Sequence, residues 1–516
     1  MKGAVVLRNW ICGILTLLWT GCASVPGSLR PMSFATSEVR SAAQGRTTTE
    51  ILASYLEIIA RDPESAEAKP AEGRFVQLYR KSANSRTAKI DQWNVRFIGD
   101  WPLVYFDSFL PAADYAVHGL KNRHVRPGAG VALVGCRNNS KRERIEAWYP
   151  PELIVRPVTA VFRSDPGQNV AIALNDSRRS ETLAADFTAP MAHLLGFGRE
   201  LSGVGFGGLL RADRGRRTFG LYLMEPYDPQ KTPVLFVHGL LSTPLAWANT
   251  TNELWGDAEF RRRYQIWHYL YPTSAPFLYS AKMLRQQLAE TRAFLDPAGN
   301  DWASRHLSIV AHSMGGLLTR TLITHSGEAA WNGVFSVPPA ALHAAPADRQ
   351  LVADILHWEP DRSVRRVVFV AVPHRGSTIA RGFVGRIGDA IAALPKTFTG
   401  VYARLHRDNP TALQPAFRRA LSAGELTSID TLSPRHPLLP VINAMPFAPW
   451  ITAHSIIGNR GSAGRLERSS DGIVPYTSSH LDQAVSEVVA PTGHSAYDHP
   501  VAVAEILRVL KESESE

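Results

Sequence analysis

Cysteine is almost missing from this chain: there are three among 516 residues, Cys12, Cys22 and Cys136. So few exclude a disulfide-stapled scaffold and the paired-cysteine patterns of structural zinc sites. No His-Glu-x-x-His motif is present, so the sequence asks for no metal and no other cofactor. Long apolar runs are missing too. The run from Ile11 to Trp19 is about half of the ~20 residues that a membrane-spanning helix needs. Charge of one sign is scarce: 56 Lys+Arg against 46 Asp+Glu leave +10, with no long basic block. That thin excess suits an anionic membrane surface and argues against a nucleic-acid partner. With 45% hydrophobic and 20% charged residues, the chain can bury a core and keep a polar surface, which excludes disordered, collagen-like and multi-span membrane classes.

What is present begins with a positively charged start (Lys2, Arg8), the short apolar run, and then Thr20-Gly21-Cys22-Ala23-Ser24. This is the order of a secretory signal. Thr20-Gly21-Cys22 resembles a bacterial lipoprotein signal, in which the cysteine thiol takes a diacylglycerol and becomes the mature N-terminus. Trp19 departs from that pattern, standing where such signals usually carry Leu, and an ordinary cleaved signal is the alternative. The resemblance implies that residues 1–21 are removed, that Cys22 is the lipidation site and that Cys136 is the last free cysteine. Ala23 and Ser24, in place of Asp, imply sorting to the outer membrane of the cell envelope. The expected address is an exported protein held on a membrane surface by its lipid.

Residues 22–45 are rich in Ser, Pro, Gly and Thr and read as a tether. Residues 46–218 read as an accessory module, α+β or β-rich. Helical spacing of Ile51, Leu52, Tyr55, Ile58 and Ile59 predicts a helix over Thr48–Arg61, with its cap among Thr47–Thr49. Short β-rich runs at Val131–Val134, Val158–Phe162 and Val170–Leu174, separated by turn clusters, predict a small antiparallel sheet. From 219 to 516 apolar strands alternate with helical segments, the mark of a mostly parallel sheet covered by helices. The strands are expected at Pro233–Val237, Gln265–Leu270, Leu307–Ala311, Val367–Ala371, Thr452–Ile457 and Ser486–Val489.

Ala311-His312-Ser313-Met314-Gly315 follows one of these strands and precedes a helical run. A small-x-Ser-x-Gly sequence in that setting is a nucleophile elbow: the chain doubles back so sharply that only small residues fit on either side of the serine. The same pattern recurs at Ala420-Leu421-Ser422-Ala423-Gly424, but Phe417-Arg418-Arg419 before it is no buried strand. A serine hydroxyl needs a base within reach, and the base an orienting carboxylate. Downstream lie Ser470-Asp471-Gly472, after an apolar strand, and Thr492-Gly493-His494, after the last strand. His454, His480 and His499 compete with His494 as base, and Asp430 and Asp389 with Asp471 as acid.

These residues together resemble the α/β-hydrolase fold, with the Ala-first elbow of some bacterial lipases. Val368-Phe369-Val370-Ala371-Val372-Pro373-His374-Arg375-Gly376-Ser377 is similar to the sixth strand and exit turn of lipase-type and GPI-inositol-deacylase-like hydrolases. The resemblance covers roughly 219–513. It implies Ser313 as nucleophile, Asp471 as acid and His494 as base, in the family's chain order. Val237-His238-Gly239-Leu240 resembles the loop after the family's third strand, which implies an oxyanion hole built from the backbone amides of Leu240 and Met314. The side chains of His238, His374 and Arg375 are expected to be structural.

Roughly seventy residues separate Ser377 from Thr452, far more than a usual connection. Within this insertion, about 378–451, the residues Phe383, Ile387, Ile391, Leu394, Phe398, Val401 and Tyr402 form a stripe at helical spacing. It reads either as a helix packed on the body or as a lid over an acyl pocket. The expected activity is serine-dependent hydrolysis of carboxylic esters, lipid-like ones first, without cofactor. Acyl transfer through the same triad, or a non-catalytic envelope binding protein on the same fold, are the alternatives.

Overall fold

A computed structural model describes residues 46–512 apart from 84, 116, 118, 140–142, 151–152, 166, 177–179, 196–218, 379–395, 410, 423–427 and 462–464. The signal, Cys22 and the tether therefore lie outside the described residues, as do Asp389 and the insertion's stripe from Phe383 to Leu394. Contacts divide the described chain into two units, one within 26–203 and 251–258, the other within 204–250 and 259–516. Among the described residues, no helix is long and apolar enough to cross a membrane.

The first unit opens with helix α1, Thr48–Arg61, at the expected bounds. Thr47 caps it in a reciprocal box: its hydroxyl accepts from the Glu50 amide, and its own amide donates to the Glu50 carboxylate at 2.6 Å. Helix α2, Ala68–Ser82, was not expected, because Pro70 and Gly73 interrupt its apolar spacing. Pro70 is tolerated in the first turn, where its missing N–H has no intrahelical acceptor. Gly73 leaves room for the Pro111 ring, which would lie 3.2 Å from an added Cβ.

Strands β1 Thr87–Ile90, β2 Trp93–Gly99, β3 Ser108–Pro111, β4 Val131–Asn138, β5 Leu153–Asp165 and β6 Asn169–Leu174 form one sheet in the order β1-β2-β6-β5-β4-β3. The expectation of an antiparallel module needs one correction. β2 pairs with β6 in parallel, because β6 returns beside a strand from much earlier in the chain rather than beside a hairpin partner. Leu52, Leu56 and Ile59 of α1 and Phe75, Val76 and Tyr79 of α2 share a core with Val95, Phe97, Phe109, Leu133, Val158 and Ile172.

The second unit carries a seven-stranded sheet: β7 Gly220–Leu223, β8 Thr232–Val237, β9 Tyr264–Leu270, β10 Leu307–His312, β11 Val364–Val370, β12 Thr452–Gly458 and β13 Ser486–Ala490. All six expected strands are there, and β7 is an added edge that runs antiparallel to β9. The order is β13-β12-β11-β10-β8-β9-β7, and every other pair is parallel. Every residue of β8 and β10 is buried, as strands covered on both faces require. Strand β11 starts at Val364, three places before its expected Val367, since Arg365 and Arg366 do not read as core residues. Helices α3 Phe277–Leu295, α4 Met314–Ile323 and α5 Pro500–Lys511 belong to this unit. This is the α/β-hydrolase arrangement.

The chain winds outward from β8 in one direction and from β10 in the other. The two neighbouring strands thus flank the topological switch point, and the loops leaving their carboxyl ends open the crevice where such sheets bind ligands. Within the insertion, helices span Lys396–Asp408, Pro415–Ser422 and Leu438–Ala444. Phe75 has no exposed surface. Its replacement by Ala should lower the stability of the first unit by about 3–5 kcal/mol, read as a lower urea midpoint; an unchanged midpoint would contradict the packing described.

Candidate active site

Ser313 joins β10 to α4 at φ 52° and ψ −127°. A non-glycine residue there is strained, and its surroundings hold it in place. Its amide donates to the Val370 carbonyl of β11 at 3.0 Å, and Gly316 N–H donates to its carbonyl at 2.9 Å. Gly315 explains the small residue after the serine: a Cβ on it would lie 2.5 Å from the carbonyl oxygens of both Val237 and His238. Ser422, the other serine with the same local pattern, ends the helix Pro415–Ser422 instead of a strand-to-helix turn.

His494 follows β13, and its Nε2 lies 2.9 Å from Ser313 Oγ. Its Nδ1 lies 2.7 Å from Asp471 Oδ2. A carboxylate at Nδ1 fixes the proton there and leaves Nε2 free to accept from the serine hydroxyl. The other Asp471 oxygen accepts from the amides of Ile473 at 2.8 Å and Val474 at 2.6 Å, which orients the carboxylate. Asp471 and Ser313 are buried. Gly458 permits the approach of the loops that carry Asp471 and His494, since a Cβ there would lie 2.8 Å from the Asp471 Cβ and 2.7 Å from the Gly493 carbonyl.

The competing histidines lie elsewhere. His454 is on β12 and pairs with Ser486 at 2.8 Å; His480 pairs with Glu487 at 2.6 Å. The His499 ring caps α5 by accepting from the Val501 amide. Asp430 lies in the short helix Ser428–Thr431.

The loop after β8 lies directly against the elbow. A Cβ on Gly239 would come within 2.8 Å of the Ser313 Cβ and 2.9 Å of His312 Nδ1. Leu240 follows that contact, and Met314 opens α4, where first-turn amides have no acceptor in their own helix. Two residues that sequence reading passed over hold this loop from the far end of β9. The Tyr271 hydroxyl donates to the His238 carbonyl at 2.6 Å, and Thr273 Oγ1 accepts from the Leu241 amide at 3.3 Å. Neither has a local signature, because each acts on a loop more than thirty positions earlier.

The His238 ring stacks on Tyr271 with centroids 4.5 Å apart, as a support for the loop. His374 is buried against Arg320, whose Nη1 lies 3.4 Å from its Nδ1. Arg320 in turn donates to the carbonyls of Ile442 and Asn443, both at 3.1 Å. Arg375 donates to the carbonyls of Thr477 at 3.0 Å and His480 at 2.6 Å. The Ser377 hydroxyl donates to the Ile473 carbonyl, and Ser478 Oγ donates to the Gly376 carbonyl at 2.7 Å. The exit turn of β11 is thereby fastened to the segment that follows Asp471. Among the described residues, no group of three His, Cys, Asp or Glu side chains is placed to hold a metal ion.

With this geometry in view, comparison with known proteins is informative. The family model described as "Alpha/beta hydrolase family" matches residues 234–506, more than half of the chain. The search of curated proteins found no match to this chain. Among solved structures, the mature-form lipase BlEst2 of Bacillus licheniformis is similar at 17% identity and TM-score 0.31, over 56% of this chain and 97% of that one. The lipase of Staphylococcus hyicus is similar at 13% and 0.33, over 56% and 95% respectively. EstA of Clostridium botulinum is similar at 11% and 0.34, over 55% and 88%. Superpositions of this quality carry no functional weight; the family assignment rests on the sequence match.

The imidazoles of His238, His268, His312 and His374 are buried in the second unit and held neutral. Burial pushes His238 down to about 4 and His268 down to about 3, and holds His312 and His374 well below the ordinary histidine range. As pH falls below ~6.5, the unfolded chain takes up protons that the folded chain refuses. Stability is therefore complete above that pH and is lost on the way down, as each ring refuses the proton that the unfolded chain accepts. The loss for His238 runs down to about pH 4 and for His268 to about pH 3. Urea midpoints should fall steadily between pH 7 and pH 5; a flat profile would show that these rings are not buried in neutral form.

Proposed function

The chain belongs to the alpha/beta hydrolase family, and from that premise we propose that it is a serine hydrolase acting on carboxylic esters, lipid-like ones in particular. The observation that carries this reading is the unbroken hydrogen-bonded chain from Ser313 Oγ through the His494 imidazole to the Asp471 carboxylate, at 2.9 and 2.7 Å. In this reading Ser313 Oγ attacks the acyl carbon while His494 Nε2 takes its proton. The Leu240 and Met314 amides stabilise the oxyanion. His494 then returns the proton to the departing alkoxide, leaving an acyl-serine. A water molecule, deprotonated by the same imidazole, releases the acid and regenerates the hydroxyl. The Asp471 carboxylate keeps the ring oriented throughout.

The lipid-like substrate is supported by sequence: acylation at Cys22 would hold the enzyme beside bilayer esters. A single acyl group anchors weakly, so the diacylglycerol of a lipoprotein is the relevant case. We place the mature protein on the outer membrane of a bacterial envelope on the strength of Ala23 and Ser24.

Ser313→Ala should lower p-nitrophenyl ester turnover at least about a thousandfold and abolish labelling by a fluorophosphonate. Labelling that persists in this variant would refute the assignment. For the anchor, Cys22→Ala should end incorporation of radiolabelled palmitate and release the protein from membranes. Unchanged labelling would refute lipidation without touching the catalytic reading.

A further inference from the structure

His494 is gripped at two points. Its Nε2 meets Ser313 Oγ at 2.9 Å, and its backbone carbonyl accepts from Nε2–H of His312 at 2.8 Å. Both grips come from adjacent residues at the end of β10. The His312 ring lies 4.8 Å from the His494 ring, 4.7 Å from that of Tyr497 and 6.4 Å from that of Trp247. On its other side, Nδ1 abuts Gly239, where a Cβ would come within 2.9 Å. The side chain therefore fills the space between the β8 loop, the elbow and the loop that carries the base.

We propose that His312 is a positioning residue that fixes the main chain of His494 relative to Ser313. The proposal rests on the reading of Ser313 as nucleophile and His494 as base. The bond from Nδ1 to Asp471 sets the direction of the imidazole, but it leaves the Cα of His494 free to shift along the loop that follows Gly493. Pinning the carbonyl to the nucleophile's own strand removes that freedom.

The second grip works when the first is broken. Once His494 has taken the serine proton, its Nε2 turns to the leaving oxygen and later to water, so the contact with Ser313 is interrupted in each half of the cycle. The carbonyl bond persists through all of it. Burial also keeps His312 well below the ordinary histidine range. It thus donates a neutral N–H and sets no second cation beside the imidazolium.

Three variants of the full mature protein test this. His312→Phe keeps a ring and removes the donor, His312→Gln carries an amide N–H to about the place of Nε2, and His312→Asn is too short to reach. Active sites are counted by fluorophosphonate labelling, and kcat per labelled site is measured on p-nitrophenyl butyrate. A base displaced by about an ångström costs up to ~100-fold, so Phe and Asn should lower kcat per site roughly ten- to a hundredfold with KM within about twofold. Gln should recover most of it.

Wild-type kcat per site in Phe and Asn overturns the proposal, even if fewer sites are labelled, since that pattern marks a merely structural role. Gln as slow as Asn, with both folded by circular dichroism, overturns it too. Should Phe fail to fold, the Gln–Asn pair decides alone. A wild-type protein that neither takes the label nor cleaves the ester defeats the underlying assignment instead, so the two failures are distinct.

Discussion

A serine held at φ 52° between a fully buried strand and a helix is the constraint on which the rest of the second unit's candidate site depends. Left to itself, that backbone would relax to an ordinary turn and carry the hydroxyl away. Three neighbours prevent it. Strand β11 accepts the Ser313 amide, Gly315 lets α4 press against the carbonyls that end β8, and Gly239 lets the β8 loop close over the serine's Cβ. The parallel order β11-β10-β8 supplies all three at the carboxyl ends of the central strands.

The loops that carry Asp471 and His494 solve a different problem. They leave β12 and β13 and must meet a hydroxyl that leaves β10, two and three strands away. Small residues make the approach possible: Gly458 yields space to Asp471 and to the chain before His494. Polar contacts then hold the arrangement. Amides of residues 473 and 474 aim the carboxylate, and the turn after β11 is bolted to the same segment through Ser377, Ser478 and Arg375. Most of these bonds join a side chain to a backbone carbonyl or amide, and such bonds fix loop paths more firmly than contacts between two mobile side chains.

Much of this was legible beforehand where the signal is local. Helix α1 announces itself by apolar spacing and by capping threonines among Thr47–Thr49, and the six parallel strands by short apolar runs between helical stretches. The elbow at Ser313 could be told from its copy at Ser422 because a buried strand precedes one and not the other. Helix α2 escaped because Pro70 and Gly73 mask its periodicity. The parallel β2–β6 pair escaped because pairing partners distant in sequence leave no local trace.

The sequence by itself determined the fold class, the strand-to-helix setting of Ser313, and the order in which Asp471 and His494 follow it. These depend on periodicity, residue size and chain order, which a linear text carries. Only the tertiary structure decided that His494, and not His454, His480 or His499, lies at Ser313, and that Tyr271, Thr273 and His312 hold the loops around it. Those contacts join residues about thirty to nearly two hundred positions apart. Their geometry is set by the order of strands in the sheet, and no stretch of sequence contains it.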